Sequence, residues 1–459
     1  MNKEKLFLED CKRLLKDRLL TEEKETIVYS YDATPGLTGE TPIGVAFPKS
    51  TEEVRELVKF ALEYDIPLYP RGAGTSVSGG PVPKKKGLVV SFQQMNQILE
   101  IDPDNMTALV EPGVVVAHLD KEASKFGLMY PPDPGSVAVA TIGGTVAENA
   151  GGLRGLKYGV TKDYVMGMEL VLPNAEIFRF GGKCVKNVTG YNFSGFFVGS
   201  EGTIGLFTQI LLKLIPAPKY KKTFLATFDS LKNAGEVIAN IIRARIIPAT
   251  LEIMDNFTIK AVENYLKINL PTEKEALLLI ELDGMGKDQI EEEAQIIQEI
   301  IKKFNGDYSI AKDEKEREKL WQARRAAFPA LARLKPAVFI EDVAVPRTKI
   351  VKMLVGIQEI SKKYNLPIAT VGHAGDGNVH PMILIDPQEE KDLEELDKVL
   401  HEIVEKALSL KGTITGEHGI GIAKKKYILK ELGHQGIKVM RMIKNSFDSK
   451  NIINPEKIV

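Results

Sequence analysis

The residues best suited to chemistry stand in two short motifs. The first reads Gly372-His373-Ala374-Gly375-Asp376-Gly377-Asn378-Val379-His380, and the second, further along, Gly416-Glu417-His418-Gly419. Two imidazoles (His373, His380) and one carboxylate (Glu417) are a donor set for a divalent metal that keeps positions open for substrate. These ligand types do not separate Zn, Fe(II) and Mn. His418 is then left as a general base, with a second metal ligand or a plain hydrogen-bonding role as alternatives. Asp376 belongs to the turn or supports a ligand from behind. A core role, in which both histidines merely hydrogen-bond, is the ordinary reading of a lone histidine. It weakens here because three of only six histidines fall in these two motifs. His401-Glu402-Ile403-Val404-Glu405 opens like a zinc-protease helix but lacks the second histidine, so it reads as a solvated helix face.

A second group of residues suits a phosphorylated or flat ligand. Pro70-Arg71-Gly72-Ala73-Gly74-Thr75-Ser76 is a loop of small residues whose backbone N–H groups can form an anion nest, with hydroxyls as further donors. It is neither a Walker A loop, lacking Gly-Lys-Ser/Thr, nor the Rossmann fingerprint, lacking the third glycine in place. Taken alone it could be a mobile surface loop. More small-residue sequence lies downstream: Pro132-Asp133-Pro134-Gly135-Ser136, Thr141-Ile142-Gly143-Gly144-Thr145, Asn149-Ala150-Gly151-Gly152 and Tyr158-Gly159. So much glycine inside patterned sequence implies close backbone approach to a large ligand.

These segments need elements to hold them. Leucines on one face predict an amphipathic helix over residues 3–20, and Ser50 or Thr51 opens another that ends near Asp65. Strands are expected at 66–69, 87–92, 106–111, 165–172, 175–180 and 203–215, with a helix at 116–126. Beyond Pro216 the character changes, and strands alternate with long helices. Strands at 223–227, 277–282, 339–343 and 367–371 are interleaved with helices from Ser230 and over 288–304, 314–334 and 347–364. Gly375 and Gly377 disfavour a helix across the histidine segment, so a strand–turn–strand must fold both imidazoles to one side. The boundaries expected are an N-terminal helical segment 1–40, a first domain 41–217, a second domain 218–411 and a C-terminal segment 412–459 that returns to the first domain.

Composition removes several classes. The length, 459 residues, allows two or three domains. A net charge of −1 gives no basis for binding nucleic acid. No apolar run nears the ~20 residues that span a bilayer, and the N-terminus is not a signal peptide. Cys11 and Cys184 are the only cysteines, too few for an iron–sulfur cluster and consistent with a reducing cytoplasm.

Residues 70–80 and 132–152, with Val198-Gly199-Ser200-Glu201-Gly202-Thr203-Ile204-Gly205, resemble the FAD domain of the vanillyl-alcohol oxidase / p-cresol methylhydroxylase superfamily. The histidine motifs and Asn454-Pro455 resemble the C-terminal part of its FAD-linked 2-hydroxyacid dehydrogenases, the branch of glycolate oxidase and D-lactate dehydrogenase. The resemblance covers residues 30–457. It implies an α+β architecture: a two-subdomain FAD-binding domain, an α+β cap domain with an antiparallel sheet, and a C-terminal segment that returns to the FAD domain. It implies FAD, held noncovalently because Thr75 stands where covalent members carry a histidine. Arg71, Gly72, Ala73, Gly74, Thr75 and Ser76 would hold the pyrophosphate. Pro134, Gly135, Ser136, Thr141, Gly144, Asn149, Gly152 and Tyr158 would line the flavin, Glu201, Gly202 and Ile204 would lie near the nucleotide, and Asn454 would close the site. By the same resemblance His418 is the base and Arg324, with Arg325 as alternative, pairs the substrate carboxylate, a task suited to a guanidinium.

The reaction so implied is oxidation of a short 2-hydroxy acid to the 2-oxo acid, with electrons passed to an external acceptor: an electron-transfer flavoprotein, an iron–sulfur subunit or a quinone. The D-configuration is implied by the resemblance alone. Relatives that act on 2-hydroxyglutarate hold its distal carboxylate with a lysine and an asparagine, where this chain has Ile340 and Met382. A second carboxylate would be stranded there, which favours lactate or glycolate. A metal-dependent hydrolase would leave the glycine-rich stretches unexplained, and a noncatalytic flavin-carrying subunit would not need the intact His/Glu set. Attachment to the inner membrane face, and homodimer against hetero-oligomer, stay open.

Overall fold

The computed structural model describes residues 3–459. The chain divides into two compact units. The first comprises the residues up to Gly151, Val160–Ala217 and Glu417–Val459; the second comprises Gly152–Gly159 and Pro218–Gly416. The change at Pro218 falls where the sequence changes character. The return to the first unit comes at Glu417, later than residue 412, and residues 3–40 join the first unit.

The first unit contains two main sheets. In one, Leu19–Leu20, Gly44–Ala46, Leu88–Ser91 and Leu68–Arg71 lie side by side, the last three parallel. The other is a five-stranded antiparallel sheet in the order Ile98–Asp102, Thr107–Val110, Leu206–Lys213, Val165–Val171, Ile177–Gly181. The helix Thr51–Tyr64 begins where the Ser50 hydroxyl accepts the Glu53 N–H and ends at Asp65 in the left-handed region, as its capping residues dictate. Its apolar stripe, Val54, Leu57, Val58 and Ala61, is fully buried. The N-terminal helix stops at Leu15, short of residue 20, because Lys16 takes a φ of 59° and Leu19 leaves to pair with Ala46.

The second unit is built on one antiparallel sheet. Its order is Asp307–Ile310, Tyr220–Phe228, Ala276–Gly284, Thr250–Asp255, Ile368–His373, Asn378–Ile385, Ala337–Ile340. Val343–Ala344 pairs beside the end of Asn378–Ile385. The run Leu277-Leu278-Leu279-Ile280 is apolar throughout because both faces are covered. Leu278 and Ile280 pack with helices Leu231–Arg243, Lys287–Lys303 and Ile350–Tyr364, while Leu277 and Leu279 pack with Asn256–Leu266 and Ala327–Leu331. The helix expected over 314–334 is two helices, Glu314–Arg325 and Ala327–Leu331. Pro329 lacks an N–H and its ring crowds the carbonyl four residues back, on Arg325, so the first helix ends there.

Candidate functional site

The histidine segment folds as a hairpin within the large sheet. Ile368–His373 turns through residues 374–377 into Asn378–Ile385, with Gly377 at φ +91°. A Cβ on Gly377 would collide with the Val345 carbonyl, so only glycine fits the turn. Asp376 Oδ1 accepts the Asn378 N–H at 3.2 Å and so belongs to the turn. In the register His373 faces Asn378 and Val371 faces His380. Alternation then puts His373, His380 and Met382 on one face of the sheet, with Glu252 and Met254 on the neighbouring strand. The two imidazoles lie 5.1 Å apart, centroid to centroid, and nearly perpendicular. Both are buried.

Two carboxylates that no sequence pattern marks stand behind these rings. Glu252 Oε1 lies 2.6 Å from His373 Nδ1, and Glu252 Oε2 accepts the Arg324 Nε–H at 2.7 Å. Asp342 Oδ1 lies 3.7 Å from His380 Nδ1. A carboxylate facing Nδ1 favours the proton there, which leaves Nε2 with its lone pair, the form a metal needs. Burial pushes the Glu252 carboxyl up, but the charges and hydrogen bonds of His373 and Arg324 outweigh it and hold the group below its usual range. The donor set fits a borderline divalent cation: two buried imidazoles, with Glu252 against His373 Nδ1 and Asp342 beside His380.

The helix Glu314–Arg325 reaches this face along one stripe. Arg317, Trp321 and Arg324 recur at helical spacing. Arg317 and Trp321 both donate to Glu281 Oε2 at 2.9 Å, and Arg324 takes Glu252 on the next strand. Arg325 points elsewhere, to the exposed Glu318. The structure thus separates the two candidate arginines: Arg324 is part of the buried network and Arg325 is at the surface. His401 pairs with Glu405 at 3.7 Å on an exposed helix face.

In the first unit the glycine-rich segments converge. A Cβ on Gly72 would overlap the Thr141 hydroxyl, and one on Gly202 would lie 2.8 Å from Pro70. Asn454 donates to the Gly80 and Glu201 carbonyls at 3.1 and 2.8 Å. Residues 70–80, Thr141 through Asn149, Glu201, Gly202 and Asn454 therefore form one cluster. Residues 72–77 are half-buried, and Gly74 takes φ +72° with the Arg71 guanidinium directly beneath it. Arg71 folds under the loop, donating to the Tyr31 carbonyl at 2.8 Å and lying over the Tyr29 ring; it stiffens the nest from below. Gly135 is exposed with open space where a Cβ would be. Thr141 accepts the Gly144 N–H at the start of the helix Ile142–Glu148, and Asn149 ends that helix at φ 54°. Ala73, Thr75, Ser76 and Ser136 are half-buried and Pro134 is buried. A backbone cradle of half-buried glycine and hydroxyl residues suits a pyrophosphate.

Not every glycine is there for a ligand. Gly80 abuts Glu148, Gly419 abuts Glu148 and Glu201, Gly421 abuts the Ser78 carbonyl, and Gly151 lies beside Glu417. These residues let chain segments approach one another. Glu201 accepts the N–H groups of Ile420 and Gly421 at 2.7 Å each, and the Ser78 hydroxyl donates to the His418 carbonyl at 2.9 Å. The turn carrying His418 is thereby fixed to the first unit's core. Burial, reinforced by Glu201 and Asp32, drives the Glu148 carboxyl well above its usual range. Burial likewise lowers Lys457 to about 7, against the pull of Glu201. Three further residues expected near the flavin are placed as follows. Ile204 is packed in the apolar core. Gly152 and Tyr158 belong to the second unit, where the Tyr158 hydroxyl meets both Asp283 oxygens at 2.9 Å.

Comparison with known proteins also breaks the chain near residue 217, although the C-terminal model continues through residues 417–458 of the first unit. Residues 217–458 match the family model for FAD linked oxidases, C-terminal domain, and residues 42–181 match that for the FAD binding domain. The chain is 47% identical over 433 residues to glycolate oxidase subunit GlcD of Bacillus subtilis, covering 94% of this chain and 92% of that protein. It is 37% identical over 438 residues to a D-lactate dehydrogenase of Archaeoglobus fulgidus, covering 94% and 95%. Among solved structures, p-cresol methylhydroxylase with substrate bound superposes with a TM-score of 0.83 at 18% identity, over 99% of this chain and 96% of that one. That likeness is one of fold.

Proposed function

This chain belongs to the FAD-linked oxidase family, and from that premise we propose that it oxidises a short 2-hydroxy acid, D-lactate or glycolate, with the help of a divalent metal. It is a flavin-dependent oxidoreductase acting on a hydroxy acid. The observation that carries the metal is the pairing of two buried imidazoles on one face of the sheet, with Glu252 against His373 Nδ1 and Asp342 beside His380. His373 and His380 would hold the cation, with Glu417 as the third ligand. Bound FAD supplies acceptance of a hydride, and a bound divalent cation supplies polarisation of the substrate hydroxyl.

The chain's own residues do the rest. Arg324, held by Glu252 through Nε, would pair the substrate carboxylate with its guanidinium. His418 takes the hydroxyl proton as the C–H pair leaves as hydride, and the 2-oxo acid results. Ile340 and Met382 face each other across adjacent strands, with Met382 in the apolar core. That environment offers nothing to a second carboxylate, which supports a monoacid over 2-hydroxyglutarate.

The electrons then leave to an external acceptor, a flavoprotein, an iron–sulfur subunit or a quinone. Cys11 and Cys184 are both free thiols, which supports a reducing compartment. None of the described helices is long and apolar enough to cross a membrane. The test is anaerobic mixing of the flavin-loaded protein with D-lactate, L-lactate, glycolate and 2-hydroxyglutarate. Bleaching of the oxidised flavin by D-lactate or glycolate, and little by the diacid, is the expected result. Bleaching by 2-hydroxyglutarate alone would overturn the substrate assignment.

A further inference from the structure

Asp342 occupies the break between strands Ala337–Ile340 and Val343–Ala344 and is fully buried. A buried carboxylate without donors would be costly, and this one has donors from two directions. Oδ1 accepts the Asn378 amide at 2.6 Å, and Asn378 also donates to the Val343 carbonyl at 3.1 Å. Oδ2 accepts the Thr415 hydroxyl at 2.7 Å and the Gly416 N–H at 2.8 Å. Oδ1 also faces His380 Nδ1 at 3.7 Å.

The residues bound to Oδ2 close a short extension of the sheet. Thr413 and Ala344 form a two-way backbone bridge, with N–H to O distances of 2.8 and 3.3 Å. Thr415 and Gly416 then end on the Asp342 carboxylate. Gly416 has no room for a side chain: a Cβ would overlap the Asn378 amide nitrogen and lie 3.0 Å from Asp342 Oδ1. The next residue in the chain is Glu417.

We propose that Asp342 is the positioning residue of the metal centre, lying beside the His380 ring and anchoring both Asn378 and the Thr415–Gly416 peptide from which Glu417 departs. The inference rests on the metal reading above. One side chain thus lies beside one proposed ligand and holds the peptide that leads to another. Asn in its place keeps the size but turns an NH2 group toward one of the N–H donors, so the clamp opens on one side.

The test uses the full-length, flavin-loaded protein stripped of metal by a chelator, titrated with Mn2+ and separately with Zn2+. Wild type should bind one equivalent and His380→Ala none. Asp342→Asn should bind 10- to 100-fold more weakly, the range for loss of a group that orients a ligand, with its flavin content unchanged. Thr415→Val, which removes a single donor, should weaken binding by a smaller factor and carries the test if Asp342→Asn does not fold. A lower melting temperature with unaltered metal affinity would show a merely structural role and overturn the proposal. Wild type that binds neither metal would overturn the metal reading itself, and this inference with it.

Discussion

The two units prepare their binding surfaces by opposite means. In the first, the surface is backbone: Gly72 and Gly74 are bare, the loop is held from beneath by Arg71, and the helix Ile142–Glu148 starts on the Thr141 hydroxyl. In the second, the surface is side chain: two imidazoles and an arginine, with Glu252 bound to His373 and Arg324 and Asp342 beside His380. A backbone cradle is rigid once its turns are set, and it depends on residues that have no side chain. A side-chain centre depends on partners behind the groups that do the chemistry. The difference predicts different modes of failure.

The largest effect on this contrast should come from Gly74→Val. A β-branched residue at φ +72° is strained by at least about 1–2 kcal/mol, and its side chain would also displace the Arg71 guanidinium. Flavin retained per protein after gel filtration should fall at least about tenfold, since that strain corresponds to roughly one decade in an equilibrium constant. Metal bound by His373, His380 and Glu417 should stay unchanged. Full flavin retention would remove the loop from the cofactor site. Glu252→Gln should act in the reverse sense and less severely. Metal affinity should fall about 10- to 100-fold while flavin stays bound. The Michaelis constant for the acid should rise too, because Arg324 loses its charged partner. Unchanged metal binding in this variant would show that His373 does not need its carboxylate.

The sequence carries the first kind of surface more openly than the second. Positions that demand glycine declare themselves, as do helix caps such as Ser50 and Thr141. The histidine hairpin was legible for the same reason, because Gly375 and Gly377 exclude a helix. Glu252 and Asp342 were not, since one acidic residue in a strand reads as solvent-facing until the register shows what lies opposite. Glycine density was also an ambiguous signal. Gly151, Gly419 and Gly421 are small so that protein can meet protein, a use that no local pattern separates from ligand approach.

The most direct test of a metal-assisted oxidation is a paired assay of His380→Ala and Glu417→Ala for bound flavin, bound metal and turnover of D-lactate and glycolate. Both variants should keep a full complement of oxidised flavin, lose the metal and lose turnover by several orders of magnitude, since on the proposed reading a cation held by these residues would polarise the substrate hydroxyl. Full turnover in either variant, with flavin bound and metal absent, would contradict the claim that oxidation runs through a metal held by these residues.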